Sequence, residues 1–143
     1  MAGMAWRVET GVSPEAAYDY VADVSHHPDW AMDPMTVDVL EDGKRYRCAA
    51  PFFGRPNPST VTVTDSQRPS RFAFDAEDRQ GISHHEFRFT PTAGGTLITR
   101  EMTGVKQPWY GPILAMLFRG QIDKNFNGAL AKLKQNLESK TAA

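Results

Sequence analysis

Residues 13–30 carry the sequence SPEAAYDYVADVSHHPDW, which predicts one capped helix followed by a second, much shorter one. Ser13 is a good N-cap residue, and Pro14 suits the first position of a helix. Apolar residues then recur at helical spacing and form a single stripe. Ser25 can cap the second helix, and Pro28 keeps that helix short because proline interrupts the helix interior.

Outside this stretch, apolar and polar residues alternate over short segments. One alternating segment begins at Trp6, before the helix pair, and six more follow it as far as Met102. Turn signals such as Glu-Asp-Gly at residues 41–43 separate them. Residues 51–58 contain three prolines and are predicted to form a long turn. Short consecutive strands of this kind are typical of an antiparallel meander.

The C-terminal segment shows helical periodicity instead. Apolar residues recur every three or four positions from Leu114 to Leu137, which predicts one long helix over about residues 110–138. Gly120 and Gly128 interrupt it at a cost of about 1 kcal/mol each relative to alanine. We interpret them as sites of close packing or as tolerated surface positions, with a bend or local softness over a cavity as the alternative. Together these elements predict an α+β fold, in which a curved seven-stranded antiparallel sheet wraps around the long helix.

Length and composition indicate a single domain that spans residues 1–143. The formal net charge is −1, so no overall field attracts the chain to nucleic acid or anionic lipid. Cys48 is the only cysteine, which excludes an internal disulfide and fits a reducing cytoplasm. The apolar run from Ile113 to Phe118 is far shorter than the roughly 20 residues that span a bilayer. We therefore expect a cytoplasmic protein without a nucleic-acid partner or an integral membrane segment.

The densest group of potential metal ligands is His26, His27, Asp29 and Asp33. The two histidines are adjacent rather than four residues apart, and no cysteine or glutamate completes a known ligand spacing. No glycine-rich phosphate loop follows a strand, because the glycine pair at residues 94–95 lies between two strands. The sequence therefore predicts neither a metal nor a cofactor.

Several motifs in one order make the chain resemble a known family. They are the Ser13-Pro14 helix start, Tyr20-Val21-Ala22-Asp23-Val24, His27-Pro28-x-Trp30, Arg68-Pro69-x-Arg71-Phe72-x-Phe74, Pro91-x-x-Gly94-Gly95-Thr96, and Asn125-x-x-x-x-Leu130-x-x-Leu133-Lys134. Over about residues 6–137 they resemble the polyketide cyclase/dehydrase and lipid-transport group of the START-like (SRPBCC) superfamily. The resemblance implies the helix-grip fold and one ligand-binding domain. It carries over no catalytic triad, because the family shares none.

His85 and Arg100 are the candidate polar residues of the cavity. His85 shares a strand face with aromatic residues and titrates near neutral pH, so it can act as a base, contact a ligand or be a satisfied core residue. Arg100 shares a face with Met102, and a buried guanidinium needs a partner. A ligand carboxylate or enolate can serve, and so can Asp33 or Glu101.

Tyr46 and Tyr110 offer hydroxyl groups near the expected cavity, although tyrosines on strands are more often wall residues. Methionines and phenylalanines supply an adaptable apolar lining, or ordinary core. The predicted ligand-binding residues are His85, Phe87, Arg100, Met102, Phe74, Tyr46, Tyr110, Met116 and Phe118. Met32, Met35, Phe52 and Phe53 are further candidates, either for this lining or for the ordinary core.

Three functions compete at this point. We expect binding or transport of a hydrophobic small molecule, such as a lipid, isoprenoid or polyketide, in a cavity between sheet and helix. The alternative is a polyketide cyclase, aromatase or dehydratase in which His85, Arg100 and Tyr46 act as acid, oxyanion stabiliser and hydrogen-bond guide. That alternative requires the three side chains to converge on one cavity. The third is docking of a protein partner through an exposed apolar patch.

Overall fold

The computed structural model describes residues 3–32, 34–52 and 55–141, without the side chains of residues 52 and 141. Within these residues it contains seven strands and four helices, and a 3-10 turn (Val24–His26) joins the first two helices. The elements in chain order are β1 (Met4–Thr10), α1 (Pro14–Ala22), α2 (His27–Trp30), β2 (Thr36–Glu41), β3 (Arg45–Phe52), β4 (Arg55–Gln67), β5 (Arg71–Asp78), β6 (Gly81–Thr92), β7 (Gly95–Lys106), α3 (Gly111–Leu117) and α4 (Arg119–Thr141).

The seven strands form one antiparallel sheet in the order β1-β7-β6-β5-β4-β3-β2. Strands β2 to β7 are a meander, and β1 pairs with β7, so β1 and β2 lie at opposite edges. Alternation places Trp6, Phe74, Phe87 and Ile98 on one face, where they join the buried core with Leu133 of α4. The predicted α+β helix-grip fold is confirmed.

Side-chain caps fix the helix pair after β1. Ser13 Oγ accepts a hydrogen bond from the Ala16 backbone N–H at 3.2 Å, as its N-cap position predicts. Asp23 Oδ1 accepts from the Ser25 backbone N–H at 3.1 Å and so caps the 3-10 turn that leads into α2. The prediction that Ser25 itself caps the second helix is therefore wrong. Helix α2 has His26 at its N-cap position and no side-chain cap, whereas the Asp23 carboxylate caps the preceding 3-10 turn two residues forward.

The proline-rich segment was predicted as a long turn, and this prediction is wrong for most of its length. Strand β3 runs through Pro51 to Phe52, and β4 begins at Arg55 and contains Pro56 and Pro58. Strand β4 pairs with β5 only from Thr60 onward. The prolines of β4 therefore lie where the strand has a neighbour on one side only, and a missing N–H leaves no gap in a second ladder.

The long C-terminal helix is present but divided at Phe118, where the prediction was one continuous helix. Phe118 adopts φ −104° and ψ 16°, which lies outside the helical range and separates α3 from α4. A Cβ on Gly128 would lie 2.7 Å from the Sδ of Met32, so Gly128 is a site of close packing. A Cβ on Gly120 would meet nothing within 4 Å. Across the described ranges, no helix combines the length and the apolar character needed to cross a lipid bilayer.

Helix α4 is fixed to the sheet through β1. The Trp6 ring stacks on Phe126 with a centroid separation of 4.2 Å and an interplanar angle of 10°. The Trp6 indole N–H donates to Asp123 Oδ1 at 2.9 Å, and this hydrogen bond lowers the pKa of the Asp123 carboxyl. One strand residue thereby holds the first half of α4 through both an apolar and a polar contact.

The opposite face of the sheet carries charged side chains in pairs. Glu86 is almost fully buried and accepts hydrogen bonds from Arg71 at 2.5 Å and from Arg88 at 2.7 Å. Burial alone would raise the pKa of Glu86, but these two guanidinium groups bring it below its ordinary value. His84 Nδ1 lies 2.6 Å from Asp75 Oδ1 on the same face. Adjacent His84 and His85 thus point to opposite faces, as strand alternation predicts.

Candidate functional site

A cavity of about 510 Å³ lies between the sheet and α3, at the end of the sheet where β6 begins and β7 ends. Its volume falls within the range of about 300–1,000 Å³ typical of small-molecule sites. The side chains at its rim are exposed and polar, among them Gln80 and Lys106. Most of its lining is apolar and comes from both walls, including Met4, Ile82, Met102, Leu114, Phe118 and Ile122.

A β-bulge shapes the sheet wall of this cavity. Ile82 lies opposite Lys106, whereas Ser83 lies opposite Gly104, so Val105 is an extra residue in β7. Bulges bend a strand and re-aim its side chains, and they recur beside functional sites. Gly104 has no side chain, and both it and Ser83 line the cavity. A Cβ on Gly104 would lie 2.9 Å from the Gln107 side chain, so the glycine makes room for Gln107 at this part of the wall.

Ser83, His85 and Arg100 form a hydrogen-bonded chain that begins at the cavity wall. Ser83 Oγ lies 2.9 Å from His85 Nε2, and Arg100 Nη2 lies 3.2 Å from His85 Nδ1. A guanidinium only donates, so Nδ1 of His85 must be the acceptor. The proton of the neutral imidazole then sits on Nε2, which donates to Ser83 Oγ.

Arg100 is surrounded by aromatic rings rather than by acids. Its Cζ lies 4.4 Å from the ring centroid of Phe126, 5.1 Å from that of Phe87 and 5.9 Å from that of Trp30. Such cation–π contacts are attractive by roughly 0.5–2 kcal/mol each. Its Nε is inaccessible to solvent and has no hydrogen-bond partner within the part of the chain that the structure describes. Burial lowers the pKa of Arg100 to about 9, so the group remains a cation at neutral pH.

Of the two acids considered as a partner for Arg100, Glu101 is described by the structure and forms no ion pair with it. Arg100 lies on the inner face of β7, opposite Trp6, whereas its neighbour Glu101 points to the other face because adjacent strand residues alternate. Asp33 lies outside the described residues. The hydrogen-bond partner that the structure does place at Arg100 is the neutral imidazole of His85.

Two histidines are buried as neutral groups around this cluster. His85 stacks on Phe74 at 4.8 Å, and burial, reinforced by the charge of Arg100, lowers the pKa of His85 well below its ordinary value. Burial lowers the pKa of His27 to about 4, and its Nε2 donates to the Val21 carbonyl at 2.8 Å. His27 therefore serves the packing of the helix pair. No group of three or more His, Cys, Asp or Glu side chains in the described ranges is arranged to hold a metal ion.

The structure distributes the predicted ligand-binding residues over three places. Met102, Tyr110 and Phe118 line the cavity, with Met102 on the sheet wall and the other two on the helical side. His85 and Arg100 lie behind Ser83 and contact each other. The remaining four predicted residues, Phe74, Phe87, Tyr46 and Met116, lie elsewhere.

Phe74 and Phe87 belong to the packed core, where they flank His85 and Arg100. Tyr46 is buried, and its hydroxyl accepts a hydrogen bond from the Gly43 backbone N–H at 2.9 Å, away from the cavity. Met116 is 71% exposed and is not part of the lining. The side chains of the three catalytic candidates therefore do not converge, because Tyr46 is turned into the β2–β3 hairpin.

The other residues considered as lining divide in the same way. Met35 packs against the core, and Met32 contacts Gly128 of α4. Phe53 and the side chain of Phe52 lie outside the described structure. Sequence reasoning missed Ser83 as a cavity residue. The available signal was its position two residues before His85 on the same strand face.

Helix α3 covers the cavity on one side and exposes apolar residues on the other. None of its residues is buried. Trp109, just before it, is 84% exposed, and Leu117 is 69% exposed. Leu114 and Ala115 on the same helix line the cavity. The helix that separates the cavity from solvent is thus held mainly by its inner contacts.

Solved structures with the same fold include proteins from different bacteria. A protein from Thermus thermophilus has a TM-score of 0.78 at 17% identity and covers 97% of this chain and 99% of its own. A START superfamily protein from Mycobacterium smegmatis has a TM-score of 0.73 at 16% identity, and the match covers 96% of this chain and 97% of that protein. The di-domain aromatase/cyclase StfQ of the steffimycin biosynthetic pathway has a TM-score of 0.72 at 13% identity, and the match covers 99% of this chain and 52% of StfQ.

These identities are too low to indicate more than a common START-like fold. No curated protein sequence matches the chain. The family model described as polyketide cyclase/dehydrase and lipid transport matches residues 2–138, which is nearly the full length. With its helix-grip fold and its cavity between sheet and helix, the chain belongs to the polyketide cyclase/dehydrase and lipid transport family.

Proposed function

We propose that this protein binds a hydrophobic small molecule, such as a lipid, isoprenoid or polyketide, between the sheet and helix α3. The observation that carries the proposal is the cavity of about 510 Å³ with its mainly apolar lining. Transfer of apolar ligand surface from water contributes roughly 25 cal/mol per Å² buried. Membership of a family that joins polyketide cyclases and lipid transport supports the same class of ligand.

We expect the ligand to enter beside α3. This helix has no buried residue, so its displacement disrupts less packing than displacement of α4, which contributes four buried apolar residues, Ala129, Leu130, Leu133 and Leu137. Segments with few buried contacts open at the lowest free energy. The exposed polar residues Gln80 and Lys106 at the rim then keep the entrance hydrated.

Blocking the cavity with a large side chain tests the proposal. Ala115 of α3 lines the cavity, so Ala115→Trp should fill it and abolish binding of the neutral fluorescent probe N-phenyl-1-naphthylamine. Ala131→Trp is the matched control, because Ala131 lies on the exposed side of α4. Native mass spectrometry of the purified protein and a panel of lipids and aromatic compounds provide the second measurement. Absence of binding by the unmodified protein across probe and panel would refute the proposal.

A cyclase-type reaction in the same cavity is the second candidate. The hydrogen-bonded chain from Arg100 through His85 to Ser83 favours it, since the polarised hydroxyl of Ser83 at the cavity wall can donate to an enolate oxygen. Tyr46 cannot take the role of hydrogen-bond guide from its position against Gly43. Binding therefore remains the better supported proposal, and turnover of a poly-β-ketone by the purified protein is the observation that would favour the enzyme.

A further inference from the structure

We propose that Ser83, His85 and Arg100 form a polar subsite on the inner wall of the cavity, which selects ligands with a carbonyl or carboxylate oxygen. The inference rests on the proposed function, because it assigns the chemistry of one end of the bound molecule. It follows from the direction of the hydrogen bonds along this chain of residues and from the charge at its buried end.

The direction of the hydrogen bonds follows from Arg100. Its guanidinium has no acceptor, so His85 accepts at Nδ1 and donates from Nε2 to Ser83 Oγ. Ser83 Oγ thus accepts a hydrogen bond from His85, and its own hydroxyl hydrogen remains able to donate. Among the described residues, no acceptor for that hydrogen is present. Because Ser83 lines the cavity, the hydrogen is available to an acceptor atom of a ligand.

The charge at the buried end strengthens this donor. Hydrogen bonds in a chain polarise one another, so the cation of Arg100 makes the hydroxyl of Ser83 a better donor through the imidazole of His85. In the described residues Arg100 has aromatic neighbours and His85, but no carboxylate within ion-pair distance. A negative or partly negative oxygen in the cavity therefore reduces the cost of burying the cation.

Asp78 is the other half-buried polar residue in the lining, and it offers no donor. Its Oδ1 accepts from the backbone N–H groups of Gln80 at 2.8 Å and Gly81 at 3.2 Å, and its Oδ2 accepts from Asn57 Nδ2 at 3.0 Å. These contacts occupy the carboxylate in shaping the β5–β6 turn. A ligand oxygen in the inner part of the cavity therefore finds its hydrogen-bond donor at Ser83.

Three probes with alkyl chains of similar length and different polar groups test the subsite. Dodecanoate and 2-tridecanone carry acceptor oxygens, whereas the dodecylammonium ion is only a donor. We expect Ser83→Ala to weaken the binding of dodecanoate and 2-tridecanone by about tenfold. Binding of the dodecylammonium ion should change by less than about twofold. Ser83→Thr restores the hydroxyl and should restore binding. Ser59→Ala is the matched control, because Ser59 lies on the same face of the sheet but outside the lining.

The outcomes separate the subsite from the proposed function. If Ser83→Ala weakens the binding of all three probes equally, or of none of them, the subsite is overturned while the proposed hydrophobic binding stands. If the unmodified protein binds none of the three probes but binds N-phenyl-1-naphthylamine, only the subsite is overturned. If it binds neither these probes nor the wider panel, the proposed function is refuted as well. Thermal melting of each variant checks that it remains folded.

A second measurement reads the hydrogen bonds directly. Long-range ¹H–¹⁵N NMR spectra distinguish the two tautomers of histidine, and we expect the neutral form with the proton on Nε2 at His85. Arg100→Met removes the donor to Nδ1 and should weaken dodecanoate more than 2-tridecanone, because only the former carries a full charge. A proton on Nδ1 of His85 in the unmodified protein would overturn the assigned direction.

Discussion

The Nη2 of Arg100 donates a hydrogen bond to the Nδ1 of His85 at 3.2 Å, between the sheet and α4. The acceptor is a neutral imidazole, so the pair holds one net positive charge. Phe87 and Phe126 contribute the faces of their rings. Apolar surroundings of this kind penalise a cation, and ring contacts of roughly 0.5–2 kcal/mol each offset only part of the cost.

The empty protein should therefore become more stable when Arg100 is replaced by an apolar residue of similar length. We expect Arg100→Met to raise the free energy of unfolding, because desolvation of the cation costs several kcal/mol, whereas the donor lost to His85 Nδ1 costs only about 1–3 kcal/mol. Urea denaturation measures this change. Arg68→Met is the control, because Arg68 is exposed and paired with Asp19. A decrease in stability for Arg100→Met would show that His85 and the rings fully compensate the charge.

Acid should destabilise the protein through His27. Its pKa is about 4 in the folded state, because it is buried, and about 6.5 when unfolded. Between these values the unfolded chain binds more protons than the folded one, so stability falls as the pH decreases from about 6.5 to 4. The loss is on the order of 3 kcal/mol for this group. Buried His85 contributes with the same sign.

Measurement of unfolding free energy across this pH range checks the assignment. His27→Gln retains a donor for the Val21 carbonyl and removes the titrating imidazole, so the slope of stability against pH should decrease. His26→Gln is the neighbouring control, since the side chain of His26 is 39% exposed. An unchanged slope in His27→Gln would assign the acid sensitivity to other groups.

Local patterns in the sequence were sufficient to predict the strands of the sheet and the helix pair. Alternation and tight turns predict strands whose two faces differ, and Ser13 and Pro14 mark the helix start. The prolines of β4 were misassigned because proline is also compatible with a strand where its missing N–H would face a side without a neighbouring strand. Whether β5 extends far enough to pair with the backbone at these prolines depends on the tertiary structure.

The site was harder to predict for related reasons. Helical periodicity continues through Phe118, so the break between α3 and α4 leaves no trace in the apolar pattern. Ser83 is small and polar, and its importance comes from His85 and Arg100 behind it, which the strand register brings together. Tyr46 shares the inner face of the sheet, but a hydrogen bond to Gly43 in the adjacent turn holds its hydroxyl.

Trp6 should be a large contributor to the docking of α4. It stacks on Phe126 and donates its indole N–H to Asp123 Oδ1, and the residue is 4% exposed. Trp6→Phe removes the donor and leaves unfilled volume, so we expect a loss of about 1–3 kcal/mol in unfolding free energy. Asp123→Asn keeps an oxygen acceptor for the indole and is the milder comparison. Equal stability of Trp6→Phe and the unmodified protein would contradict this role.

Gly81 opens β6 at the floor of the cavity, and it should tolerate no side chain. Its φ is +144°, and a Cβ would lie 1.9 Å from the carbonyl oxygen of Lys106, a backbone atom that cannot turn aside. Gly81→Ala must therefore displace the end of β7 from the β5–β6 turn. We expect it to lower the unfolding free energy by at least about 2 kcal/mol and to weaken binding of N-phenyl-1-naphthylamine, because both strands form the cavity wall.

Gly43 provides the matched comparison for this prediction. It has a positive φ of 75° in the β2–β3 turn, but a Cβ there would meet nothing within 4 Å. Gly43→Ala should therefore cost only the backbone strain, about 1–2 kcal/mol, and leave probe binding unchanged. The difference between the two variants measures the collision with Lys106. Equal losses of stability, or unaltered probe binding by Gly81→Ala, would show that the end of β7 moves freely and does not define the cavity.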